Sequence, residues 1–452
     1  MFRRSVFPPM TDPKQPCTVV ILGASGDLAR RKLVPALDRL YLQGRINGDV
    51  TIVGSGRTPF TDAQFRDRFT VSDGFRDRMC YHQGLGGLRS FIEQRASGCR
   101  VVFFMALPPS AYAETARQLA AGGFGPESSL IIEKPFGCDL DSARRLNADI
   151  ARYFTEDQVY RIDHYLAKEA VQNILVFRFA NPVFYPTWNS RYIESIQINA
   201  LEQIGVEDRG AYFDSAGIIR DMVQNHLAQL LCLLTMETPV SLDPADLRAR
   251  KTDVLRTLSV EQCHRYQYDG YRREKGVAPH STTETFAELK LRIDNFRWSG
   301  MPVYIRTGKA AGRKATEIGV TYKKLPRLLF NRDGGIEQNR IIFKIQPAEG
   351  VILDMSSKAV GTDSMVASTH MDFCFRDAFS GEIPEAYQRL LLDVFRQDHT
   401  LFVGARETEA SWRVFGPVLD KGEIVPYAKG TVPTSRLDAP WIDFEHYRSF
   451  CE

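Results

Sequence analysis

The sequence has 452 residues, enough chain for two large domains or three small ones. Hydrophobic residues make up 44% and charged residues 25%, which is typical of globular proteins and excludes a disordered chain, a collagen-like fibre and a coiled-coil rod. Because 58 Lys and Arg face 55 Asp and Glu, the net charge of +3 favours neither nucleic acid nor a membrane surface as a partner.

The first residues and the cysteines bear on the compartment. Residues 1–16 combine basic residues and prolines without the apolar core of a signal peptide, so we expect a flexible N-terminal tail. No apolar run approaches the roughly 20 residues of a membrane-spanning helix. The eight cysteines are scattered, with no CxxC pair and no histidine at zinc-like spacing. This pattern predicts a reduced, cytoplasmic protein without a metal site.

Residues 17–165 alternate short apolar strands with helices. The predicted strands are Thr18–Leu22, Thr51–Gly54, Val101–Leu107 and Leu130–Ile132, and the predicted helices are 28–42 and Tyr112–Ala121. Buried strands that alternate with helices indicate a parallel sheet covered on both faces. We therefore predict an N-terminal, Rossmann-like, doubly wound α/β domain over these residues.

Residues 166–452 follow a different pattern. A helix is predicted from Ser215 to Met236, and apolar and polar residues alternate over Ile196–Asn199 and Arg340–Ile345. Alternation with period two is typical of antiparallel strands that leave one face in water. This predicts an α+β domain with a large, mainly antiparallel sheet.

A glycine-containing turn joins the first predicted strand to the first helix. Gly23 allows the tight turn, Gly26 allows a pyrophosphate to approach the backbone, and Ala29 allows the helix to pack closely on the strand. A helix that starts near Asp27 presents N–H groups to phosphate. The GxxGxxA form is weaker evidence than GxGxxG, so a strand–helix turn without a ligand stays an alternative.

The end of the second strand bears on which dinucleotide is bound. NAD sites favour an acidic residue about 20 residues past the glycines, whereas this sequence has Arg57 after its second strand. A guanidinium suits the 2′-phosphate of NADP by charge and geometry, and Ser25 is a second candidate donor. A solvated loop arginine is the alternative interpretation.

The segment RIDHYLAKE, residues 161–169, concentrates polar side chains at the predicted domain boundary. His164 and Lys168 are four residues apart, so a helical turn would place them on the same side. Together with Tyr165 they would offer a phosphate monoester several donors and positive charge. We expect Asp163 to point elsewhere, where it could orient another histidine. A charged helix start without a ligand is the alternative.

The predicted helix 215–236 carries an apolar stripe at helical spacing, formed by Ile219, Met222, Val223, Leu227, Leu230, Leu231 and Leu234. His226 falls within this stripe, so we expect it to be largely buried and neutral, as suits a general base. Asp221 lies about 140° away on an ideal helix, on the flank of the stripe, and suits a substrate hydroxyl better than the imidazole. A core histidine without a catalytic role is the alternative.

Three further lysines are candidate ligand contacts. Lys134 ends a predicted strand at the carboxyl edge of the parallel sheet, where such sheets bind ligands, and its bond to Pro135 is a candidate for the cis form. Lys309 and Lys314 follow the strand-like segment Val303–Arg306. Taken alone, these two fit an exposed basic loop better.

In sequence order, these motifs resemble those of the glucose-6-phosphate dehydrogenase family. GASGDLARRKL resembles its coenzyme loop, IIEKPFG its strand-end motif, RIDHYLAKE its signature peptide and RDMVQNH the motif of its catalytic histidine. IRTGKAAGRKATEI, IIFKIQPAEGV and EAYQRLLLDVFRQDHTLFVGARETEASW continue the resemblance over nearly the whole chain.

The resemblance implies hydride transfer from C1 of β-D-glucose 6-phosphate to NADP, the first step of the oxidative pentose phosphate pathway, in a cytoplasmic homodimer or homotetramer. It implies that His226 removes the C1 hydroxyl proton and that Asp163 pairs with its imidazole. The implied substrate residues are Lys134, His164, Tyr165, Lys168, Glu202, Asp221, Lys309 and Lys314. The implied NADP residues are Gly23, Ala24, Ser25, Gly26, Asp27, Leu28, Ala29, Arg30, Arg57, Tyr112 and Lys134. NAD is a weaker alternative coenzyme, and no metal is implied.

Two departures and two alternatives accompany this interpretation. Ala167 replaces the usual glycine of the signature peptide, and Asp208 replaces a glycine in the EGRG stretch. The substrate of a paralogue would be a related sugar 6-phosphate, such as a 2-amino sugar. A non-catalytic sensor of NADP or sugar phosphate on the same fold is the other alternative. The intact Asp163, Lys168 and His226 argue against a sensor, which needs no base.

Overall fold

The computed structural model describes residues 17–46, 50–96, 98–325, 337–361, 366–379, 384–448 and 450–451, so the predicted tail 1–16 lies outside it. The chain forms two compact units, and both are discontinuous in sequence. The first unit comprises Met1–Ala167, Pro239–Ala249 and Pro384–Trp412, and the second comprises Lys168–Thr238, Arg250–Ile383 and Arg413–Glu452. The domain boundary between residues 165 and 166 stays a prediction.

The strands are β1 Cys17–Leu22, β2 Thr51–Gly56, β3 Met79–Gln83, β4 Arg100–Met105, β5 Ser128–Ile132, β6 Val159–Ile162, β7 Ile193–Leu201, β8 Leu258–Tyr268, β9 Phe286–Ile293, β10 Pro302–Gly308, β11 Ala315–Tyr322, β12 Arg340–Gln346, β13 Gly350–Lys358, β14 Val366–Cys374, β15 Phe402–Val403 and β16 Ile424–Tyr427. The α-helices are Val34–Leu42, Asp62–Arg66, Asp73–Arg76, Leu88–Glu93, Tyr112–Ala121, Leu140–Ala151, Glu169–Phe179, Gly210–Ile218, Ala228–Thr235, Pro244–Thr257, Phe375–Ala378, Ala386–Phe395 and Ala405–Phe415. Ala29–Leu33 and Ile219–Leu227 are π-helices, and short 3₁₀ segments occur at Pro109–Ala111, Glu156–Gln158, Tyr185–Thr187, Glu207–Arg209, Tyr271–Arg273, Gly416–Val418 and Phe444–Tyr447.

The first unit contains a seven-stranded sheet in the order β15-β6-β5-β4-β1-β2-β3. Strands β1 to β6 pair in parallel, and β15 pairs antiparallel with β6. All six residues of β1 are buried, because a central parallel strand has both faces covered. The predicted Rossmann-like α/β fold is confirmed, and β3, β6 and β15 extend the sheet beyond the strands predicted from the sequence.

The second unit contains a nine-stranded sheet in the order β14-β13-β12-β11-β7-β10-β9-β8-β16. Its pairs are antiparallel except β7 with β10 and β8 with β16, which are parallel. The prediction of a large, mainly antiparallel sheet is confirmed.

The expectation that one face of this sheet is solvated is wrong at the predicted strands. Gln197, Asn199 and Lys344 occupy the polar positions of the alternating pattern, and all three are buried. The Gln197 amide donates to the carbonyl of Pro440 at 2.7 Å and accepts the N–H of Ile442 at 2.9 Å. A C-terminal segment therefore covers this face at Gln197 and satisfies the polar groups of that side chain.

The helix predicted over 215–236 consists of three segments. Gly217 has φ +70° and ψ 169°, which breaks the helical path near the end of the helix Gly210–Ile218. The π-helix Ile219–Leu227 and the α-helix Ala228–Thr235 follow. The residues of the predicted apolar stripe are buried, so the stripe is confirmed although the helix is not continuous.

Two of the cysteines depart from the predicted reduced state. Cys374 and Cys451 form a disulfide with a Cα–Cα distance of 5.0 Å. Their sequence separation of 77 residues gave no spacing signal, so the pairing could not be predicted. Within the described residues, no helix is both long enough and apolar enough to cross a membrane.

Candidate active site

The turn after β1 has the geometry expected of a phosphate-binding loop. Gly23 has a φ of +85°, and a Cβ there would lie 2.2 Å from the carbonyl oxygen of Ala106, so the turn requires glycine. The N–H of Gly26 donates to the carbonyl of Gly23 at 2.9 Å, and the helix begins at Asp27 as predicted. Ala29 is buried, which allows the helix to pack closely on the sheet. The backbone is thus shaped for a dinucleotide pyrophosphate.

Backbone hydrogen bonds hold this loop against the end of β2. The N–H groups of Gly23 and Ala24 both donate to the carbonyl of Ser55, at 2.8 and 3.1 Å. Arg57 follows two residues later, is exposed, and accepts a hydrogen bond of 3.0 Å from Gln83 on its carbonyl. The structure therefore brings the loop close to Arg57, whose contact with a 2′-phosphate stays a prediction.

Lys134 follows β5 by two residues, at the carboxyl edge of the parallel sheet, and its bond to Pro135 is cis. The preceding residue, Glu133, accepts a hydrogen bond of 2.9 Å from the Tyr387 hydroxyl on its carboxylate and one of 3.0 Å from the Tyr112 hydroxyl on its carbonyl. Burial raises the pKa of Glu133 to about 7, against the lowering effects of the Tyr387 hydrogen bond and the Lys134 charge. Tyr112 itself is buried, and its predicted contact with the coenzyme stays a prediction.

The segment after β6 is a series of turns rather than the start of a helix. Residues 164–167 form turns and the next helix begins one residue after Lys168, so the helical turn predicted for His164 and Lys168 is wrong. The cause is local, because the Asp163 carboxylate accepts the N–H of Tyr165 at 3.0 Å and so competes with helix formation. Asp163 and Tyr165 are buried, and the His164 ring packs edge-on against Tyr165.

In the second unit, two neighbouring strand ends place a lysine between two carboxylates. Strands β7 and β10 run parallel with Leu201 opposite Gly308, so Glu202 and Lys309 leave the sheet side by side. The Lys309 ammonium donates to the Glu202 carboxylate and lies 3.6 Å from Oδ2 of Asp221. Lys309 is only 5% exposed, so these charges interact largely out of water. The structure thus brings together three of the predicted sugar-binding residues.

His226 lies on the π-helix and is 1% exposed, which confirms the predicted burial. A π-helix bonds residue i to residue i+5, so residues five positions apart lie closer to the same side than they do in an α-helix. Asp221 and His226 are therefore on the same side of this helix. The angle of about 140° predicted between Asp221 and His226 assumed an ideal α-helix and does not hold on this π-helix.

A second group of polar residues surrounds Lys168. Its ammonium donates to the side-chain carbonyl of Gln346, and the Glu349 carboxylate accepts the N–H of Ala170 at 3.0 Å. Burial lowers the pKa of Lys168, Glu349 opposes this effect, and the charge of the exposed Lys314 lowers the pKa further. The positive charge of Lys314 near the Lys168 ammonium favours an anionic ligand at this position.

Several contributors to these groups have no role in the sequence prediction. Gln346 and Glu349 lie in the IQPAEG segment, whose polar residues at the end of a predicted strand were a usable signal. The Tyr387 contact offered none, because Tyr387 and Glu133 are 254 residues apart in the sequence.

Residues 20–173 match the NAD binding domain of glucose-6-phosphate dehydrogenase, and residues 175–442 match the C-terminal domain of the same enzyme. The chain belongs to the glucose-6-phosphate dehydrogenase family. A glucose-6-phosphate 1-dehydrogenase of Chlamydia muridarum is 41% identical over 458 residues, which cover 90% of each chain. A cytoplasmic glucose-6-phosphate 1-dehydrogenase of Arabidopsis thaliana is 38% identical over 92% of this chain and 88% of its own length.

A solved structure of glucose-6-phosphate dehydrogenase in complex with its substrate glucose-6-phosphate has the same fold. It is 33% identical in sequence, has a TM-score of 0.88, and the match covers 94% of this chain and 97% of that one. The family, the fold class and the enzyme class predicted from the sequence, an oxidoreductase, are confirmed. The roles of individual site residues stay predictions.

Proposed function

We propose that this chain oxidises β-D-glucose 6-phosphate at C1 to 6-phospho-D-glucono-1,5-lactone with reduction of NADP to NADPH. The observation that carries the proposal is the buried Lys309, held between Glu202 and Asp221, with His226 on the same side of the helix as Asp221. Two carboxylates and an ammonium suit several sugar hydroxyls, and a buried imidazole suits the proton that leaves one of them.

In this proposal His226 accepts the proton of the C1 hydroxyl while the hydride of C1 leaves for the coenzyme. NADP supplies the hydride acceptor, and the protein supplies position and the base. Asp163 orients the imidazole and stabilises its charged form, as acidic partners of catalytic histidines do. Glu202, Asp221 and Lys309 hold the sugar hydroxyls.

The phosphate of the substrate is assigned to the basic residues around the RIDHYLAKE segment. The effect of the Lys314 charge on the pKa of Lys168 supports this, because a bound dianion stabilises the positive charge of both lysines. His164 and Tyr165 are proposed as further donors, and Lys134 is proposed to contact both substrate and coenzyme.

The coenzyme is assigned to the loop Gly23–Arg30. The missing side chain at Gly23 and the anchoring of the loop on Ser55 fit a pyrophosphate, and the exposed Arg57 fits the additional phosphate of NADP rather than NAD. We further propose a cytoplasmic homodimer or homotetramer acting in the pentose phosphate pathway. The exposed apolar side chains of Met355, Met371 and Phe373 on β13 and β14 support self-association, and the cytoplasmic Arabidopsis relative supports the location.

The proposal is tested by following NADPH absorbance with the purified chain and a panel of sugars. Glucose 6-phosphate with NADP should give the highest kcat/KM, above glucose, 2-amino-2-deoxyglucose 6-phosphate and fructose 6-phosphate, and above glucose 6-phosphate with NAD. A higher kcat/KM for the 2-amino sugar phosphate would identify a paralogue with another substrate. Binding of NADP without turnover of any sugar would identify a sensor.

A further inference from the structure

A residue from a distant part of the sequence caps the start of the helix that carries Asp221 and His226. The first N–H groups of a helix have no partner within it and need one elsewhere. Here the N–H of Ile218 donates to the carbonyl of Glu284 at 3.0 Å, and the N–H of Ile219 donates to the carboxylate oxygen Oε1 of Glu284 at 3.3 Å. One residue therefore caps the start of the π-helix with both its backbone and its side chain.

The Glu284 carboxylate is itself held in a fixed position. It is 1% exposed, and its second oxygen, Oε2, accepts two hydrogen bonds from Arg265, at 3.2 and 2.8 Å. Arg265 also donates to the carbonyls of Thr282, at 3.0 Å, and Lys421, at 3.2 Å. Because Arg265 binds Oε2, the ion pair orients Oε1 toward the backbone N–H of Ile219.

The chain leaves room for this carboxylate by placing a glycine before the helix. A Cβ on Gly217 would lie 2.4 Å from Oε1 of Glu284, and the φ of +70° at Gly217 is a conformation that other residues rarely adopt. The break at Gly217 and the approach of Glu284 are thus parts of one arrangement, which fixes where the π-helix begins.

We propose that Glu284 is a positioning residue for the reaction. It caps the start of the π-helix and thereby sets the location of Asp221 and His226. Asp221 follows the capped Ile219 by two residues and His226 by seven, and the kink at Gly217 interrupts the helical path just before this start. The inference rests on the proposed function, in which these two side chains contact the substrate. A displacement of about 1 Å in such groups can reduce turnover by about a hundredfold.

The decisive variant is Glu284→Gln, which keeps the size of the side chain. An amide has one acceptor oxygen, so it can serve either the Ile219 N–H or Arg265, but not both. We expect kcat with glucose 6-phosphate to fall by about 10–100-fold, while the Kd for NADP, measured by fluorescence titration, stays within about twofold. The coenzyme loop belongs to the first compact unit, whereas this helix belongs to the second. A local shift of the helix should therefore leave the Kd for NADP unchanged.

Glu288→Gln is the matched control. Glu288 is also a fully buried glutamate, four residues further along, but its carboxylate accepts hydrogen bonds from the Tyr266 hydroxyl at 2.8 Å and from Ser435 at 3.1 Å. It should lower the melting temperature as Glu284→Gln does, yet keep kcat within about twofold. If Glu284→Gln keeps kcat near the wild-type value, the proposal is wrong. If Glu284→Gln does not fold although Glu288→Gln does, Glu284 serves folding and the proposal is also wrong.

A double variant separates this proposal from the proposed function. In the His226→Asn background, Glu284→Gln should reduce the residual kcat by a smaller factor than in the wild type, because only its effect through Asp221 remains. An effect of the same size in both backgrounds would show that Glu284 does not act through His226. If His226→Asn alone keeps kcat, the assignment of the base fails. If His226→Asn loses kcat while Glu284→Gln does not, only the present inference fails.

Discussion

The Tyr387 hydroxyl donates a hydrogen bond of 2.9 Å to the carboxylate of Glu133, the residue directly before Lys134. The Tyr112 hydroxyl holds the backbone carbonyl of the same glutamate at 3.0 Å. Two tyrosines thus anchor the chain next to Lys134. These contacts to Glu133 help to place the lysine at the edge of the sheet. Burial raises the pKa of Glu133 to about 7, so small changes in its surroundings alter its charge at physiological pH.

Replacement of Tyr387 by Phe should make the enzyme more sensitive to acid. The hydroxyl lowers the pKa of Glu133, so its loss should raise that pKa further and neutralise the carboxylate over a wider pH range. We expect the acid limb of the kcat/KM profile for glucose 6-phosphate to move to higher pH in Tyr387→Phe. Tyr153→Phe, at an exposed tyrosine of the same unit, is the control. An unchanged acid limb would mean that catalysis does not depend on the charge of Glu133.

His226→Asn should bind glucose 6-phosphate nearly normally and lose most of kcat. Removal of a general base typically costs about 10²–10⁴-fold in rate, and Asn keeps the polarity and approximate size of the side chain. Steady-state kinetics give kcat, and substrate binding to the variant is measured by calorimetry. A folded variant that keeps more than about a tenth of kcat would rule out His226 as the base.

The sequence predicts the central strands well because they are short, continuous apolar runs. It does not predict β6, Val159–Ile162, because this strand contains Arg161, which is 2% exposed. A buried arginine interrupts the apolar pattern, and its burial is tolerated only because Glu156 lies 2.8 Å away and Asn147 accepts a second hydrogen bond. Such compensation depends on tertiary contacts that local periodicity does not contain.

In the candidate site, too, the sequence predicts some features and not others. The residue types of the site and the burial of His226 follow from motifs and helical spacing. The relation of Asp221 to His226 does not, because a π-helix changes the angle between residues five positions apart. The cap at Glu284 and the Tyr387 contact are also absent from the prediction, since both join residues that are far apart in sequence.

Arg57→Ala should change the choice of coenzyme more than the rate of reaction. A charged hydrogen bond to phosphate contributes about 1.5–3 kcal/mol, which corresponds to about 10–150-fold in KM for NADP. NAD lacks the 2′-phosphate, so its KM should change little. Arg95→Ala, an arginine of the same unit that packs on Phe91, is the matched control. Equal losses for the two coenzymes would show that Arg57 has only a structural role.

His399 should make the stability of the protein depend on pH. Its ring stacks on Tyr160 with the ring centroids 3.8 Å apart, and burial, assisted by the charge of Arg248, lowers its pKa to about 3. Between that value and its ordinary pKa of about 6.5, the unfolded chain binds a proton that the folded chain does not, so stability falls as pH decreases.

Between pH 7 and pH 5 this difference in proton binding lowers the free energy of unfolding by about 2 kcal/mol. When pH is lowered from 7 to 5, the melting temperature of His399→Phe should therefore fall less than that of the wild type. His280→Phe, at an exposed histidine, should behave as the wild type does. Equal acid sensitivity of His399→Phe and the wild type would contradict the assignment.

Lys168→Ala tests whether the basic group near the RIDHYLAKE segment binds the substrate phosphate. The Lys168 ammonium is partly buried, with Gln346, Glu349 and the charge of Lys314 around it. A free hexose has no group that needs this charge, whereas a phosphate dianion does. The variant should therefore lose most of kcat/KM for glucose 6-phosphate and little of the weak activity on glucose. Because binding of a remote phosphate also helps to orient C1, kcat should fall together with affinity.

The measured quantity is the ratio of kcat/KM for glucose 6-phosphate to that for glucose, in the wild type and in the variant. Loss of a charge-assisted contact of about 1.5–3 kcal/mol should lower this ratio by about 10–150-fold. Lys290→Ala, which removes a lysine paired with Glu261 at 3.3 Å, should leave the ratio unchanged. A ratio in Lys168→Ala that stays within about threefold of the wild type would place the phosphate site elsewhere.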